Sequence, residues 1–403
     1  MKLALIREGK VPPDSRVPLT PEQCAYVLAN HPVEIVVEPS PIRCFADDEY
    51  REAGIALQND LSDADVLLGV KEVPVEQLIP GKTYFFFSHT IKKQAYNRRL
   101  LQTILEKRIR LIDYEVLTDL NGRRLIAFGR FAGMVGAHNA LYTFGRRSGL
   151  FSLKRMSDCR DYREAIQIYS TLELPPLRIV LTGTGRVANG SAEVLRDMGI
   201  LEVSPEEFLN KDFTQAVFTQ LSSADYVACG DGKPYDAVHY HTYPDQYRSI
   251  FKPYTRRADI FINGIYWDNR APQFFSLADM REPDFRIQVI ADVTCDIAPA
   301  SSVPSTIRPS SIADPVYGYD PETEAETAPY QPHAVDVMAI DNLPNELPRD
   351  ASSAFGQMFI RHVLPELLQP QSDLLERATV AAGGKLGRHF EYLKEYVEAK
   401  LVD

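Results

Sequence analysis

The sequence predicts an α/β protein of two units, each built on a largely parallel sheet. Two observations carry this. Short apolar, β-rich runs alternate with helical patterns along the chain, and the alternation restarts at Leu177 with an apolar run, a glycine turn and a helix. A third observation sets the scale: 403 residues with 45% hydrophobic content suffice to core two domains.

In the first 115 residues "LALIRE", "VEIVVEP", "DVLLGVKE", "TYFFFSH" and "IRLIDYE" read as strands. Between them, "TPEQCAYVLANH" offers Thr20 as a cap with Pro21 at the first helical position, and "QAYNRRLLQTILEKR" has apolar residues at helical spacing. The small-residue-rich segment Phe131 to Leu150 is helix-compatible and reads as an interdomain helix. "LRIVLTGTGRVANGSAEVLRDMGI" then gives strand, turn and helix, and "ADYVAC", "ADIFINGIYW" and "FRIQVIADVTCDI" read as later strands of this second unit. Residues 299 to 335, rich in Pro, Ser, Thr and Glu, read as a long excursion from the core. "SAFGQMFIRHVLPELLQ" and "GRHFEYLKEYVEAKL" read as closing amphipathic helices.

Composition narrows the function. A net charge of −11 argues against a nucleic acid or an anionic membrane as partner, since both need a basic face. Cys24, Cys44, Cys159, Cys229 and Cys295 lie far apart without a C-x-x-C pair, so neither a zinc site nor a disulfide framework is indicated, and a reducing cytoplasm is expected. The opening "MKLALIREGK" is too short in its apolar run for a signal peptide, and no run of about 18 apolar residues reads as a spanning helix. His239 and His241 in "DAVHYHTYPDQY" have no further ligand cluster and read as surface residues, with no metal expected.

Two constellations carry chemistry. Gly183, Gly185 and Ala188 form G-x-G-x-x-A between a strand and a helix, where glycines admit a pyrophosphate to the helix N-terminus. An acidic residue about 20 positions on would hold the ribose 2′-hydroxyl of NAD. Ser204 stands at that place, and Arg186 in the turn suits a 2′-phosphate, so NAD and NADP both remain open. In the first unit, Lys71 and Glu72 end one predicted strand and His89 ends the next. Neighbouring strand ends of a parallel sheet can present such residues to one crevice.

"VKE", "KTYFFFSHTIKKQ", "IRLIDYE", "GRRLIAFGRFAG", "LTGTGRVANG", "FINGIYW" and "AIDNLPNELPRDAS" occur in one order. Together they resemble the lysine–ketoglutarate reductase part of aminoadipic-semialdehyde synthases and, less closely, the lysine-forming saccharopine dehydrogenases. Both belong to the alanine dehydrogenase and transhydrogenase-like superfamily. The resemblance implies two Rossmann-like domains: a discontinuous catalytic domain over 1–135 plus 345–403, and an inserted dinucleotide-binding domain over 136–344. It implies NAD(P)-dependent, reversible reductive condensation of lysine with 2-oxoglutarate. Lys71 and His89 correspond to the acid–base pair, and Glu72 and Glu115 to carboxylates that tune it. Arg16, Arg124, Phe128, Thr294, Cys295 and Asp296 correspond to substrate contacts, and Lys92, one helical turn beyond His89, is expected to help hold a carboxylate there. Arg123, Gly183, Gly185, Arg186, Ser204, Tyr266, Val293, Ile340, Asp341, Asn342 and Leu343 correspond to cofactor contacts. The alternatives are an alanine or related amino-acid dehydrogenase and a cofactor-binding regulatory protein without turnover.

Overall fold

The computed structural model describes residues 1–399. The chain divides into two units: Met1–Ala127 together with the segment from Pro348 onward, and Phe128–Leu347.

The first unit is built on an eight-stranded sheet. Its spatial order is Lys385–Leu386, Thr379–Ala382, Arg110–Asp113, Thr83–Phe86, Val66–Leu68, Lys2–Leu5, Glu34–Val37 and Ala56–Leu57. The six N-terminal strands pair in parallel. They are near-continuous apolar runs because helices cover both faces of such a sheet. Successive strands pass outward from Lys2–Leu5 in one direction and then return to its other side at Val66–Leu68. The crevice between the ends of those two strands is therefore the topological switch point, where parallel sheets bind ligands. Of the predicted helices, Pro21–Asn30 has the Thr20 capping box, with Gln23 N–H donating to the Thr20 hydroxyl. Arg98–Glu106 lays Leu100, Leu101 and Ile104 on the core.

The second unit has its own eight-stranded sheet, whose central run is Val335–Met338, Val289–Asp292, Ile260–Asn263, Arg178–Thr182, Val217–Leu221 and Leu201–Glu202, all parallel. Its switch point lies between Arg178–Thr182 and Ile260–Asn263.

Several sequence expectations are corrected here. "ADYVAC" is not a strand of this sheet: Ser223–Tyr226 is a helical turn, and Val227–Cys229 pairs antiparallel with Tyr247–Ser249 in a separate two-stranded ribbon. The strand beside the glycine-turn strand is Val217–Leu221, whose Thr219 and Gln220 disguise a buried run. The supposed excursion 299–335 contains the hairpin Tyr317–Asp320 and Ala325–Thr327, which extends the sheet antiparallel to Val335–Met338. At the C-terminus, Thr379–Ala382 and Lys385–Leu386 prolong the first sheet, and Gly387 N–H still bonds to the Val380 carbonyl. Helix therefore begins late, at Glu391–Leu393 and Lys394–Glu398, while Lys400 and Leu401 of that expectation lie outside the described residues.

The helix expected to bridge the units, Gly129–Ser148, belongs to the second unit and packs on the helix Arg186–Asp197. Small residues make this possible: a Cβ on Gly190 would lie 2.0 Å from the Arg130 carbonyl oxygen, and one on Gly133 1.8 Å from that of Val187. Helix propensity alone favours Gly190→Ala by about 1 kcal/mol. The packing predicts the opposite sign, a loss of about 2–3 kcal/mol in chemical denaturation, because backbone atoms cannot step aside. A stabilised variant would show that these two helices do not touch as described.

Candidate active site

In the first unit the candidate residues gather at the switch point. Glu8 follows the strand Lys2–Leu5, Lys71 and Glu72 follow Val66–Leu68, and His89 follows Thr83–Phe86. The Glu8 carboxylate accepts the backbone N–H groups of Val70 (2.7 Å) and Lys71 (2.8 Å), so the first strand holds the turn that carries Lys71. Burial of this carboxyl, reinforced by the charge of Asp14, raises its pKa to about 8. The Lys71 ammonium is shifted below the ordinary lysine range, first by burial and then by the cations Arg16 and Lys10.

Glu72 is buried and bridges two partners: Oε1 lies 2.5 Å from His89 Nδ1 and Oε2 accepts from Lys10 Nζ at 2.8 Å. Burial alone would raise this carboxyl, but the His89 and Lys10 interactions outweigh it and hold it down at about 2. The imidazole is thereby oriented through Nδ1, which leaves Nε2 as its working atom. His89 sits in the left-handed backbone region at φ 52°, a conformation that costs a non-glycine residue of order 1–3 kcal/mol and recurs where a side chain is aimed for function. Its ring stacks on Phe87 with centroids 6.5 Å apart.

A second buried carboxylate, Glu115, follows Arg110–Asp113. Arg124 Nη2 donates to its Oε1 at 2.7 Å and Lys92 Nζ lies 3.4 Å from the same atom, while the buried Oε2 has no hydrogen-bond partner among the described residues. Asp113 braces the arrangement. Its carboxylate accepts the Ser88 N–H at 3.0 Å, the Ser88 hydroxyl at 2.5 Å and the Glu115 N–H at 2.8 Å, so the ends carrying His89 and Glu115 are tied together. Arg16 is buried with Nε and Nη2 on Asp14, at 3.0 and 2.6 Å. Arg123 is exposed on the hairpin closed by the Thr118–Arg124 bridge.

In the second unit, Gly183 follows Arg178–Thr182 at φ +102°, and a Cβ there would lie 2.7 Å from the Gly264 carbonyl oxygen. Gly185 is the N-cap of Arg186–Asp197, no side chain caps that end, and nothing stands within 4 Å of where its Cβ would be. The unoccluded N–H groups, the closely approaching glycines and a cavity of ≈ 420 Å³ bordered by Gly183, Gly185, Ser223, His241, Gly264 and Tyr266 fit a dinucleotide pyrophosphate. Tyr266 is 95% exposed. Phe128 is half-buried at the N-cap of Gly129–Ser148.

Val293, Thr294, Cys295 and Asp296 follow the strand Val289–Asp292. The Thr294 hydroxyl donates to buried Asp292 at 2.7 Å, and Asn263 and Thr306 donate to the same carboxylate at 2.9 and 2.7 Å. The Cys295 thiol contacts the Ala339 carbonyl, and burial pushes its pKa up to about 12. Asp296 is raised by burial and by Asp292. Ile340 and Leu343 are buried, Asn342 half-buried and Asp341 exposed in the turn after Val335–Met338. Ser204 stands apart from the turn. It ends the outer strand Leu201–Glu202, and its hydroxyl caps Pro205–Asn210 by accepting the Glu207 N–H.

Sequence reasoning missed Glu8, Lys10, Asp14 and Asp113, although a carboxylate closing an apolar strand, as in "LALIRE" and "RLID", was a usable signal. His241, read as a surface residue, is exposed and also borders the cavity at the glycine turn. Among the described residues no group of His, Cys, Asp and Glu could hold a metal ion, and no helix is long and apolar enough to cross a membrane.

Comparison with known proteins agrees with the motifs. Residues 4–135 match the family model "Alanine dehydrogenase/PNT, N-terminal domain". The chain is 31% identical, over 98% of its length, to the mitochondrial alpha-aminoadipic semialdehyde synthase of Bos taurus, and spans 48% of that protein. The corresponding Arabidopsis thaliana protein is 31% identical over 94% of this chain and 40% of its own length, so the chain spans about half the length of these relatives or less. A saccharopine dehydrogenase [NAD(+), L-lysine-forming] of Emericella nidulans is 28% identical over 90% of this chain and 91% of its own. Among solved structures, an L-alanine dehydrogenase superposes with TM-score 0.66 at 17% identity, covering 98% of both chains. A transhydrogenase from Sinorhizobium meliloti gives 0.58 at 13% identity, covering 96% of this chain and 98% of that one. The fold is that of the alanine dehydrogenases and transhydrogenases.

The raised Glu8 carboxyl predicts a pH signature. A folded-state pKa of about 8 against 4.5 means the folded protein binds the extra proton, so this group's contribution is present below pH 4.5 and is lost as pH rises toward 8. The stability difference between wild type and Glu8→Gln should drift against the wild type across that window, by at most about 1.4 kcal/mol per pH unit. Parallel stability curves from denaturant titrations at pH 5 to 8 would contradict the assignment.

Proposed function

We propose that the chain is an NAD(P)-dependent oxidoreductase of lysine metabolism acting on CH–NH bonds. It would join lysine to 2-oxoglutarate reductively as saccharopine, or run the reverse, lysine-forming reaction. The observation that carries this reading is the Lys71, Glu72, His89 and Lys10 cluster at the switch point, supported by the relatives named saccharopine dehydrogenase and aminoadipic semialdehyde synthase.

Condensation of an amine with a 2-oxo acid needs protons moved at defined atoms. The amine must be neutral to attack, the carbinolamine oxygen must be protonated to leave as water, and the resulting imine must then be reduced. A nicotinamide dinucleotide supplies the hydride for that reduction. Lys71, held below its ordinary pKa, serves as the base that deprotonates the incoming amine. His89, fixed through Nδ1 by Glu72, offers Nε2 to the carbinolamine oxygen as acid and recovers the proton in the reverse direction.

The remaining groups bind and tune. Arg16, Lys92 and Arg124 supply positive charge for the substrates' carboxylates. The unpartnered Glu115 Oε2 can accept from a cationic amine. By the resemblance, Thr294, Cys295 and Asp296 also correspond to substrate contacts. Gly183, Gly185 and Arg186 would hold the pyrophosphate, while Tyr266, Val293 and Ile340 to Leu343 would contact the rest of the dinucleotide. This reading places the protein in the cytoplasm, in keeping with five free cysteines.

Lys71→Met and His89→Gln should each lower turnover with lysine, 2-oxoglutarate and reduced nicotinamide by about 10²- to 10⁴-fold, with unchanged melting temperature. Full turnover in both folded variants would remove the acid–base assignment. In the pH profile, the limb belonging to Lys71 rises with pH as the ammonium loses its proton. Removing a neighbouring cation raises that pKa, so Lys10→Met should move the limb to higher pH. A shift to lower pH would contradict the electrostatic account.

A further inference from the structure

The glycine turn lies at the carboxyl ends of the strands of the second sheet, and the amino ends of the same strands carry a different group of side chains. Arg178 opens Arg178–Thr182, Gln215 precedes Val217–Leu221, Arg257 and Asp259 precede Ile260–Asn263, and Arg286 precedes Val289–Asp292. These four strands are parallel neighbours, so the residues meet at one edge. At the rise of an extended strand, Gly183 lies about 16 Å along the chain from Arg178. A cavity of ≈ 250 Å³ opens at this far edge, bordered by the three arginines and Gln215 and walled by Pro176 and Phe213.

Three guanidiniums here meet two carboxylates, Asp212 on Arg257 and Asp259 on Arg286, which leaves a positive surplus in a chain of net charge −11. Arg178 belongs to the fold. Its Nη1 donates to the Lys211 carbonyl at 3.0 Å and its Nη2 to that of Phe208, and the group lies over the rings of Phe208 and Phe213 at 4.7 and 5.4 Å. Burial and then the charge of Arg257 hold it below the ordinary arginine range. The other two arginines are only partly engaged. Arg257 Nη2 donates to the Lys211 carbonyl and to Asp212, both at 3.0 Å, and Arg286 Nε donates to Asp259 at 2.8 Å. Arg257 Nη1, both Arg286 Nη groups and the Gln215 amide have no hydrogen-bond acceptor among the described residues.

We propose that this cavity binds a small phosphate monoester, whose oxygens accept from Arg257, Arg286 and Gln215, at a site separate from the dinucleotide turn. Donors arriving from three chain segments suit the three terminal oxygens of a tetrahedral phosphate, where a planar carboxylate offers only two. Guanidinium forks match such an anion better than point charges do. The volume exceeds what a phosphate group alone fills, and Pro176 and Phe213 give an apolar wall for the organic part of the ester. Asp212, the carboxylate on the rim, is already answered by Arg257, and Asp259 is buried beneath, accepting the Arg178 N–H at 2.8 Å as well as Arg286.

Calorimetric titration of the full chain with phenyl phosphate, and with benzoate as its planar counterpart, tests this with and without NADH. Phenyl phosphate should bind one to one with a Kd of about 1 mM or below, equally well in both conditions, and about tenfold more tightly than benzoate. Gln215→Glu should weaken it by about tenfold or more and Gln215→Lys should tighten it, since a like charge beside the dianion repels it and an opposite charge attracts it. Gln215 is exposed and holds no side-chain contact among the described residues, and opposite signs from one position separate a charge effect from misfolding. Arg257→Gln should also weaken binding by about tenfold. The proposal falls if wild type shows no saturable binding up to about 10 mM, if NADH displaces phenyl phosphate, if benzoate binds as tightly, or if both Gln215 variants leave the affinity unchanged.

Discussion

A parallel sheet must let its chain reverse direction somewhere, and the crevice at that reversal is the one place where strand ends are left uncovered by crossover helices. Each unit of this protein depends on that constraint. In the first unit the reversal sets the ends of Lys2–Leu5 and Val66–Leu68 side by side, which is why Glu8 can clamp the turn that carries Lys71. In the second it sets Arg178–Thr182 beside Ile260–Asn263, which is why Gly183 must be glycine against Gly264. The chemistry-bearing residues are spread over more than a hundred positions of sequence, but they follow strand after strand at the same edge.

Burial and neighbouring charge at that edge move Glu8, Lys71 and Glu72 away from their ordinary ranges. Glu72 remains ionised inside the protein because two partners share it, one the imidazole it orients and the other a lysine that also depresses Lys71. Asp113 has no reacting role in the proposed mechanism, yet it ties the Ser88 and Glu115 backbones and so fixes where His89 and Glu115 begin. Buried carboxylates at strand ends are costly unless satisfied by donors, and here each satisfied one holds a turn that carries a candidate catalytic side chain.

The sequence disclosed the parts that repeat a simple physical pattern. Five apolar runs of the first unit became strands, Thr20 became a cap, and "LTGTGRVA" became the strand–turn–helix that its glycines require. It did not disclose the parts decided by pairing at a distance. Val217–Leu221 carries Thr219 and Gln220 and looks polar, but its neighbours on both sides bury it. Tyr317–Asp320 and Thr379–Ala382 join sheets as antiparallel additions that no local period announces. The site was legible where residues lay in named motifs, as with Lys71, Glu72, His89 and Glu115. It was illegible for Lys10 and Asp14, whose meaning comes only from the partners they meet. Ser204 shows the same limit from the other side, because a spacing rule presumes a strand order and this sheet has another.

Isotope transfer tests the central claim most directly. Lysine and 2-oxoglutarate are incubated with the protein and reduced nicotinamide dinucleotide carrying deuterium at the transferable position, and the products are analysed by mass spectrometry and NMR. The account predicts saccharopine with one deuterium on the carbon that was the keto carbon of 2-oxoglutarate. Absence of any condensation product, with the deuterium retained on the nucleotide or delivered instead to pyruvate with ammonia, would contradict it.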